Sequence, residues 1–159
     1  MKELVIYDEQ NGGFLWVRSD RNCRQGSQIG WINGDGYRET KLMGGVSFKV
    51  HRLVWLWHTK TLPDDKIIDH INSNKLDNRI YNLREATPQE SACNRRVTNK
   101  LNIKGVDMRS PGKYRALIRR DGKIIRLGQY STAEEAHAAY CHAAKEIHGK
   151  FANNGIHNI

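Results

Sequence analysis

Residues 67–96, IIDHINSNKLDNRIYNLREATPQESACNRR, constrain this chain more than any other stretch. Two apolar residues lead into Asp69-His70, a carboxylate beside an imidazole. A polar loop dense in asparagine follows (Asn72, Asn74, Asn78), and Asn82-Leu83 opens a second short extended run. Thr87-Pro88-Gln89-Glu90 then has the form of a helix start. The threonine can cap, the proline suits the first turn, and the glutamate can reach back to the cap. The pattern predicts strand, loop, strand and helix, with the reactive pair at the end of the first strand.

The rest of the chain sets the context for that stretch. Its 159 residues suffice for one ordinary domain or two small ones. Lys and Arg total 26 against 17 Asp and Glu, a formal charge of +9, which favours a polyanionic partner. Cys23, Cys93 and Cys141 are scattered and form no C-x-x-C pair. This argues against a disulfide framework, and no structural zinc is expected. Free thiols suit a reducing cytosol. No apolar run approaches membrane-spanning length and the N-terminus lacks a signal-peptide pattern, so a cytoplasmic protein without a membrane partner is expected.

Taken in order, residues 1–50 read as short strands separated by glycine turns: 4–7, 14–17, 36–42 and 46–50, a small antiparallel sheet. Arg18, Arg21, Arg24 and Arg38 on it could meet phosphates. Residues 51–59 predict a short helix that packs behind the motif strands through Leu53, Val54 and Trp57. His51, at its start, reads as a structural histidine bonded to backbone and outside the chemistry. After the motif helix, Arg95 to Asn102 is basic and polar, a linker able to lie along a polyanion. Strands then recur at 105–110, 113–120 and 123–127, with turns at Ser110-Pro111-Gly112 and Asp121-Gly122. Ser131 to Glu134 reads as a second capping box that opens an Ala-rich helix to about His148, stopped by Gly149.

Asp-His, then Asn-Leu beginning twelve residues after the His, then a capped helix, resembles the motif of the HNH endonucleases of phages and mobile introns, the homing type. The run Val50-His51-Arg52-Leu53-Val54-Trp55 is also similar to what precedes that motif. The resemblance implies a ββα fold around one divalent metal ion, Mg²⁺ with Mn²⁺ as the alternative. The C-terminal part resembles the Apetala-type DNA-binding domain. The resemblance rests on Gly105-Val106, Gly112-Lys113-Tyr114-Arg115-Ala116, Leu127-Gly128-x-Tyr130, Glu135-Ala136, Ala139-Tyr140 and Ala143-Ala144 through Gly149-x-Phe151-Ala152. The expected fold is therefore α+β. An N-terminal antiparallel sheet and the nuclease motif occupy 1–98, a basic linker 99–102, and a three-stranded sheet with one packed helix 103–159.

Phosphodiester hydrolysis needs an activated water and a means of neutralising charge on the phosphate. A neutral imidazole can take the water proton, which makes His70 the candidate general base. Asp69 is a hard oxygen ligand suited to Mg²⁺. Adjacent strand residues point to opposite faces, so the pair needs a twisted strand end to serve one site. Asn82 has the position of the family's central Asn, and its expected task is to tie the loop and fix the His70 tautomer. The third motif position departs from the family's His or Asn: Ser91 stands there, with Asn94 three residues on along the helix. Three readings follow. Ser91 completes the metal site, Asn94 does, or the site is impaired.

On the C-terminal middle strand, Tyr114, Ala116 and Ile118 should face the helix. Lys113, Arg115, Leu117 and Arg119 then face out and, with Arg109 and Arg126, form a basic strip for double-stranded DNA. Arg95 and Arg96 are expected to meet the backbone. The expectation is a monomeric, strand-nicking DNA endonuclease of a bacterial or phage-infected cell, cutting with its N-terminal half and selecting its target with the C-terminal one. A non-catalytic DNA-binding protein on a degenerate motif is the alternative. Nothing in the sequence positively supports an RNA-directed nuclease.

Overall fold

The computed structural model describes residues 4–19, 23–42, 44–97 and 99–155, and its chain divides into two compact units, 1–85 and 86–159. Arg21 lies outside the described residues. The expected α+β class, several small antiparallel sheets with few helices, is what the chain forms.

In the first unit, strands β1 (Val5–Asp8) and β2 (Gly13–Trp16) make an antiparallel hairpin. The Asp8 carboxylate accepts the N–H groups of Gln10 and Asn11 and shapes the turn. Gly12 must be glycine there: its φ is +65°, and a Cβ would lie 2.1 Å from the Arg79 nitrogen. Strands β3 (Trp31–Ile32), β4 (Arg38–Lys41) and β5 (Ser47–Lys49) form a three-stranded antiparallel sheet that runs straight into helix α1 (Val50–Thr59). Strands β6 (Ile67–His70) and β7 (Leu83–Ala86) pair as a two-stranded ribbon.

One core joins these pieces. Phe14, Ile29, Val50, Val54, Ile68 and Leu83 are buried together, with Leu53 packed against them. Val50 and Val54, one helical turn apart, therefore carry the inward stripe of α1. Trp57, expected inside, is 54% exposed; it meets Phe14 edge-to-face, with ring centroids 5.9 Å apart, and the Lys60 ammonium lies over its ring. The helix starts at Val50, so the inward stripe runs through positions 50, 53 and 54 and leaves 57 at its margin.

In the second unit, helix α2 (Pro88–Cys93) precedes strands β8 (Val106–Ser110), β9 (Lys113–Arg120) and β10 (Lys123–Tyr130), which form an antiparallel sheet with β9 in the middle. Helix α3 (Ala133–His148) covers one face. Val106 and Ala116 bury against Ala136, and Ile118 against Tyr140 and Ala144. The alanines of α3 keep it close to the sheet. Strand β10 runs three residues further than the sequence predicts because a bulge between Arg126 and Gly128 restores its register. The α3 capping box also differs by one residue. Thr132, in extended conformation, accepts the Glu135 N–H, and the Glu135 carboxylate accepts the Thr132 N–H and the Ser131 hydroxyl.

The boundary between compact units falls before α2 rather than at the basic linker. The bonds responsible are local to the second unit. Lys104 Nζ donates to the carbonyls of Cys93 and Arg95, and Asn153 Nδ2 donates to the Asn94 carbonyl. No helix among the described residues is long and apolar enough to cross a membrane.

Gly105 tests the second core. Its φ is +75° and an added Cβ would lie 2.0 Å from the Tyr140 ring. Gly105→Ala is expected to cost on the order of 3 kcal/mol, combining a left-handed backbone with overpacking, read as a lower urea midpoint at unchanged m-value.

Candidate active site

Strand β6 ends on His70, which is 4% exposed. Its Nε2 lies 2.9 Å from Oδ1 of Asn78, itself 1% exposed. An amide oxygen only accepts, so Nε2 carries the proton and the ring lone pair is on Nδ1. Burial pushes the His70 pKa below the ordinary imidazole value, against the opposing pull of the Asn78 bond and the Asp69 charge. The ring is therefore neutral at pH 7, the state a general base requires.

The loop from 71 to 82 has few apolar side chains to bury, and amide groups hold it instead. Asn82 Oδ1 accepts the Asn72 N–H, while its Nδ2 donates to Asn72 Oδ1 and to the Asp77 carbonyl. Asn72 Nδ2 donates to Asp77 Oδ2, and Arg79 reaches the same carboxylate with Nε at 2.6 Å and Nη2 at 2.7 Å. These bonds hold the Asp77 carboxyl below its usual pKa, the Arg79 contact most of all. Asn82 thus ties the loop, but the tautomer partner of His70 is Asn78. The sequence offers several asparagines to that role, and the folded path of the loop, which turns through Ser73 at φ +57°, brings Asn78 to the ring.

Asp69 is 9% exposed, and its Oδ2 accepts from Arg84 Nε at 3.0 Å and Nη2 at 2.9 Å. Arg84, on β7, is marked by no local pattern in the sequence. The Asp69 charge is felt at both the His70 ring and the Tyr37 hydroxyl, where it favours the protonated form. Tyr37 and His51 surround His70, with ring centroids 6.0 and 5.0 Å away. His51 is 5% exposed, and its Nδ1 has no hydrogen-bond partner. Burial, with help from positive neighbours, pushes its pKa down to about 3, so it is a neutral ring against the candidate base. The sequence reading sets His51 apart from the chemistry; the structure sets it beside His70. Lys49 and Lys75 lie over the Tyr37 ring at 4.3 and 4.6 Å.

Ser91 stands in α2, and Asn94 caps its C-terminal end instead of continuing the helix. Asn94 is 4% exposed, and its side-chain oxygen accepts from Asn153 Nδ2 at 3.0 Å. Among the described residues, no group of three or more His, Cys, Asp or Glu is placed to hold a metal ion. On the C-terminal sheet, Arg109, Lys113, Arg119 and Arg126 are exposed, as are Arg95 and Arg96. Arg115 is different: it is paired across the strands with Asp107, and its Nε is buried without a partner.

The HNH endonuclease family model matches residues 48–93, from β5 to the end of α2. A protein of Acanthamoeba polyphaga mimivirus, named as an uncharacterised HNH endonuclease, is 34% identical over 150 residues, covering 94% of this chain and 78% of its own. A prophage-derived protein of Bacillus subtilis (strain 168), named for an HNH homing endonuclease, is 38% identical over 56 residues, 35% of this chain and 32% of its own. No solved structure matches. The chain belongs to the HNH endonucleases and is an enzyme of that class. HNH endonucleases generally use a divalent metal ion.

Asn78→Ala should leave the His70 ring without its tautomer partner. Imidazole ¹⁵N spectra at neutral pH are expected to change from one Nε2–H tautomer to a mixture, and an unchanged spectrum would remove Asn78 from this role.

Proposed function

We propose that this chain is a metal-dependent DNA endonuclease of the homing type, nicking one strand of a duplex with His70 as general base. The observation that carries the reading is the buried, neutral His70 ring, held in one tautomer by Asn78 inside a segment that matches the nuclease family. In this reading His70 Nδ1 takes the proton of the attacking water. The water oxygen bonds to phosphorus as the phosphorus–3′ oxygen bond breaks. His51 and Tyr37 hold the base in place.

Asp69 suits a resident ion. Mg²⁺ is commonly bound through one or two carboxylates with substrate phosphates and waters completing the shell, so a cluster of protein ligands is not required. A divalent ion there, Mg²⁺ or Mn²⁺, would stabilise charge on the phosphate and the leaving oxygen. Arg84 orients the Asp69 carboxylate in this picture. Ser91 and Asn94 both stand as helix candidates for a further ligand, and the side-chain oxygen of Asn94 also accepts from Asn153.

The outward face of the C-terminal sheet, which resembles the Apetala-type domain, is proposed to select the target. Arg109, Lys113, Arg119 and Arg126 supply its contacts, with Arg95 and Arg96 on the backbone. Arg115 contributes by bracing the strands through Asp107 more than by reading bases. The protein acts as a monomer with one site per chain, in the cytoplasm of a host cell. Arg119→Ala with Arg126→Ala should flatten the salt dependence of binding by roughly two phosphate contacts' worth.

A plasmid-nicking assay tests the mechanism. His70→Ala should lower the rate by ~10²–10⁴-fold while leaving DNA binding intact. Chelating the metal should abolish nicking, and Ser91→Asn should preserve or raise it. A second reading, a DNA-binding protein without catalysis, draws on Ser91 at the third motif position and on the Arg84 guanidinium against Asp69. It predicts tight binding and no nicking by the wild-type chain at any Mg²⁺ or Mn²⁺ concentration.

A further inference from the structure

The motif helix α2 has only six residues, too few to persist by itself in water. Its N-terminal end is closed locally: Thr87 Oγ1 accepts the Glu90 N–H at 3.2 Å, and Glu90 accepts the Thr87 N–H at 2.7 Å. Its C-terminal end is closed by residues from far along the chain. Asn153 Nδ2 donates to both the carbonyl and the side-chain oxygen of Asn94, at 2.9 and 3.0 Å, across 59 residues. Lys104 Nζ donates to the carbonyls of Cys93 at 2.8 Å and Arg95 at 2.7 Å.

Neither donor is a loose surface contact. Asn153 is 9% exposed; its own carbonyl accepts from the Tyr140 hydroxyl at 3.2 Å and its Oδ1 from the Gly155 N–H at 2.7 Å. Tyr140 belongs to the core beneath α3, so the clamp is anchored in that core. The Lys104 ammonium is partly buried, and an ammonium at a helix C-terminus complements the helix dipole as well as satisfying its carbonyls.

We propose that Asn153 and Lys104 are positioning residues for the nuclease reaction: they fix the C-terminal end of the helix that carries the third motif position. This rests on the reading above in which α2 contributes to the metal site. The physical requirement is strict, because displacement of a ligand-bearing helix by about 1 Å can cost on the order of 10²-fold in rate.

The test uses the full chain with the substitutions Asn153→Ala and Lys104→Met, nicking measured under single-turnover conditions across a Mg²⁺ titration, and DNA affinity measured without metal. Both variants are expected to show a reduced maximal rate and a raised Mg²⁺ requirement at unchanged DNA affinity. A purely architectural role in DNA docking would instead lower affinity and leave the maximal rate alone. That result, or wild-type rates in both variants, would overturn the clamp. Thermal unfolding identifies a variant that fails to fold, and the other then carries the test, since the two reach the helix from different elements. If the wild-type chain itself does not nick, the endonuclease mechanism fails. If the wild-type chain nicks and the variants match it, only the clamp fails.

Discussion

The hydrogen bonds that close the asparagine-rich loop between β6 and β7 are the constraint on which the candidate site depends. Apolar burial does little for that segment: Ile80 packs against the core, but Ile71, Leu76 and Tyr81 are exposed. Buried polar groups must then find partners within the protein, and each one left without a partner is costly. The chain meets this demand with side-chain amides: Asn82 bonds to Asn72 and the Asp77 backbone, Asn72 bonds to Asp77, and Asn78 meets the His70 ring. A network of this kind is rigid because every member restrains its neighbours. The same bonds that satisfy the loop also choose the tautomer of His70, so local folding and chemical competence share one set of contacts.

The burial of His70 has a second effect. The inward stripe of α1 brings Val50 and Val54 into the core, and His51, next to Val50, comes to rest against His70. Burial lowers the proton affinity of both imidazoles. A base that is neutral at pH 7 is useful only if it also stays oriented, and the Tyr37 and His51 rings limit its movement. Asp69, one residue earlier, is held by Arg84. Two adjacent residues thus have different hydrogen-bond partners, Asn78 for His70 and Arg84 for Asp69.

In the second unit the motif helix and the C-terminal sheet are one folded body. Composition shifts mark where a chain changes character, but cooperative units are set by which buried groups bond to which. Asn94 and Asn153 are 59 residues apart in sequence and bonded in space, a pairing no local pattern announces.

Much of the architecture was legible beforehand because it rests on local chemistry. Pro88 and the Thr87–Glu90 box start α2, glycine turns separate the strands, and Gly149 ends α3. Alternation along β9 sends Ala116 and Ile118 inward. The spacing of Asp69, His70 and Asn82 pointed to the nuclease family, to which the chain belongs. What the tertiary structure alone decided are the partnerships. Asn78 rather than Asn82 meets His70, Arg84 engages Asp69, His51 faces His70, Arg115 pairs with Asp107, and Asn153 secures Asn94. The physical reason is common to all five. Capping, turn formation and alternation are determined by residues a few positions apart, and sequence displays them directly. Which of several equivalent amides or guanidinium groups reaches a given buried atom depends on backbone paths that only the packed chain defines.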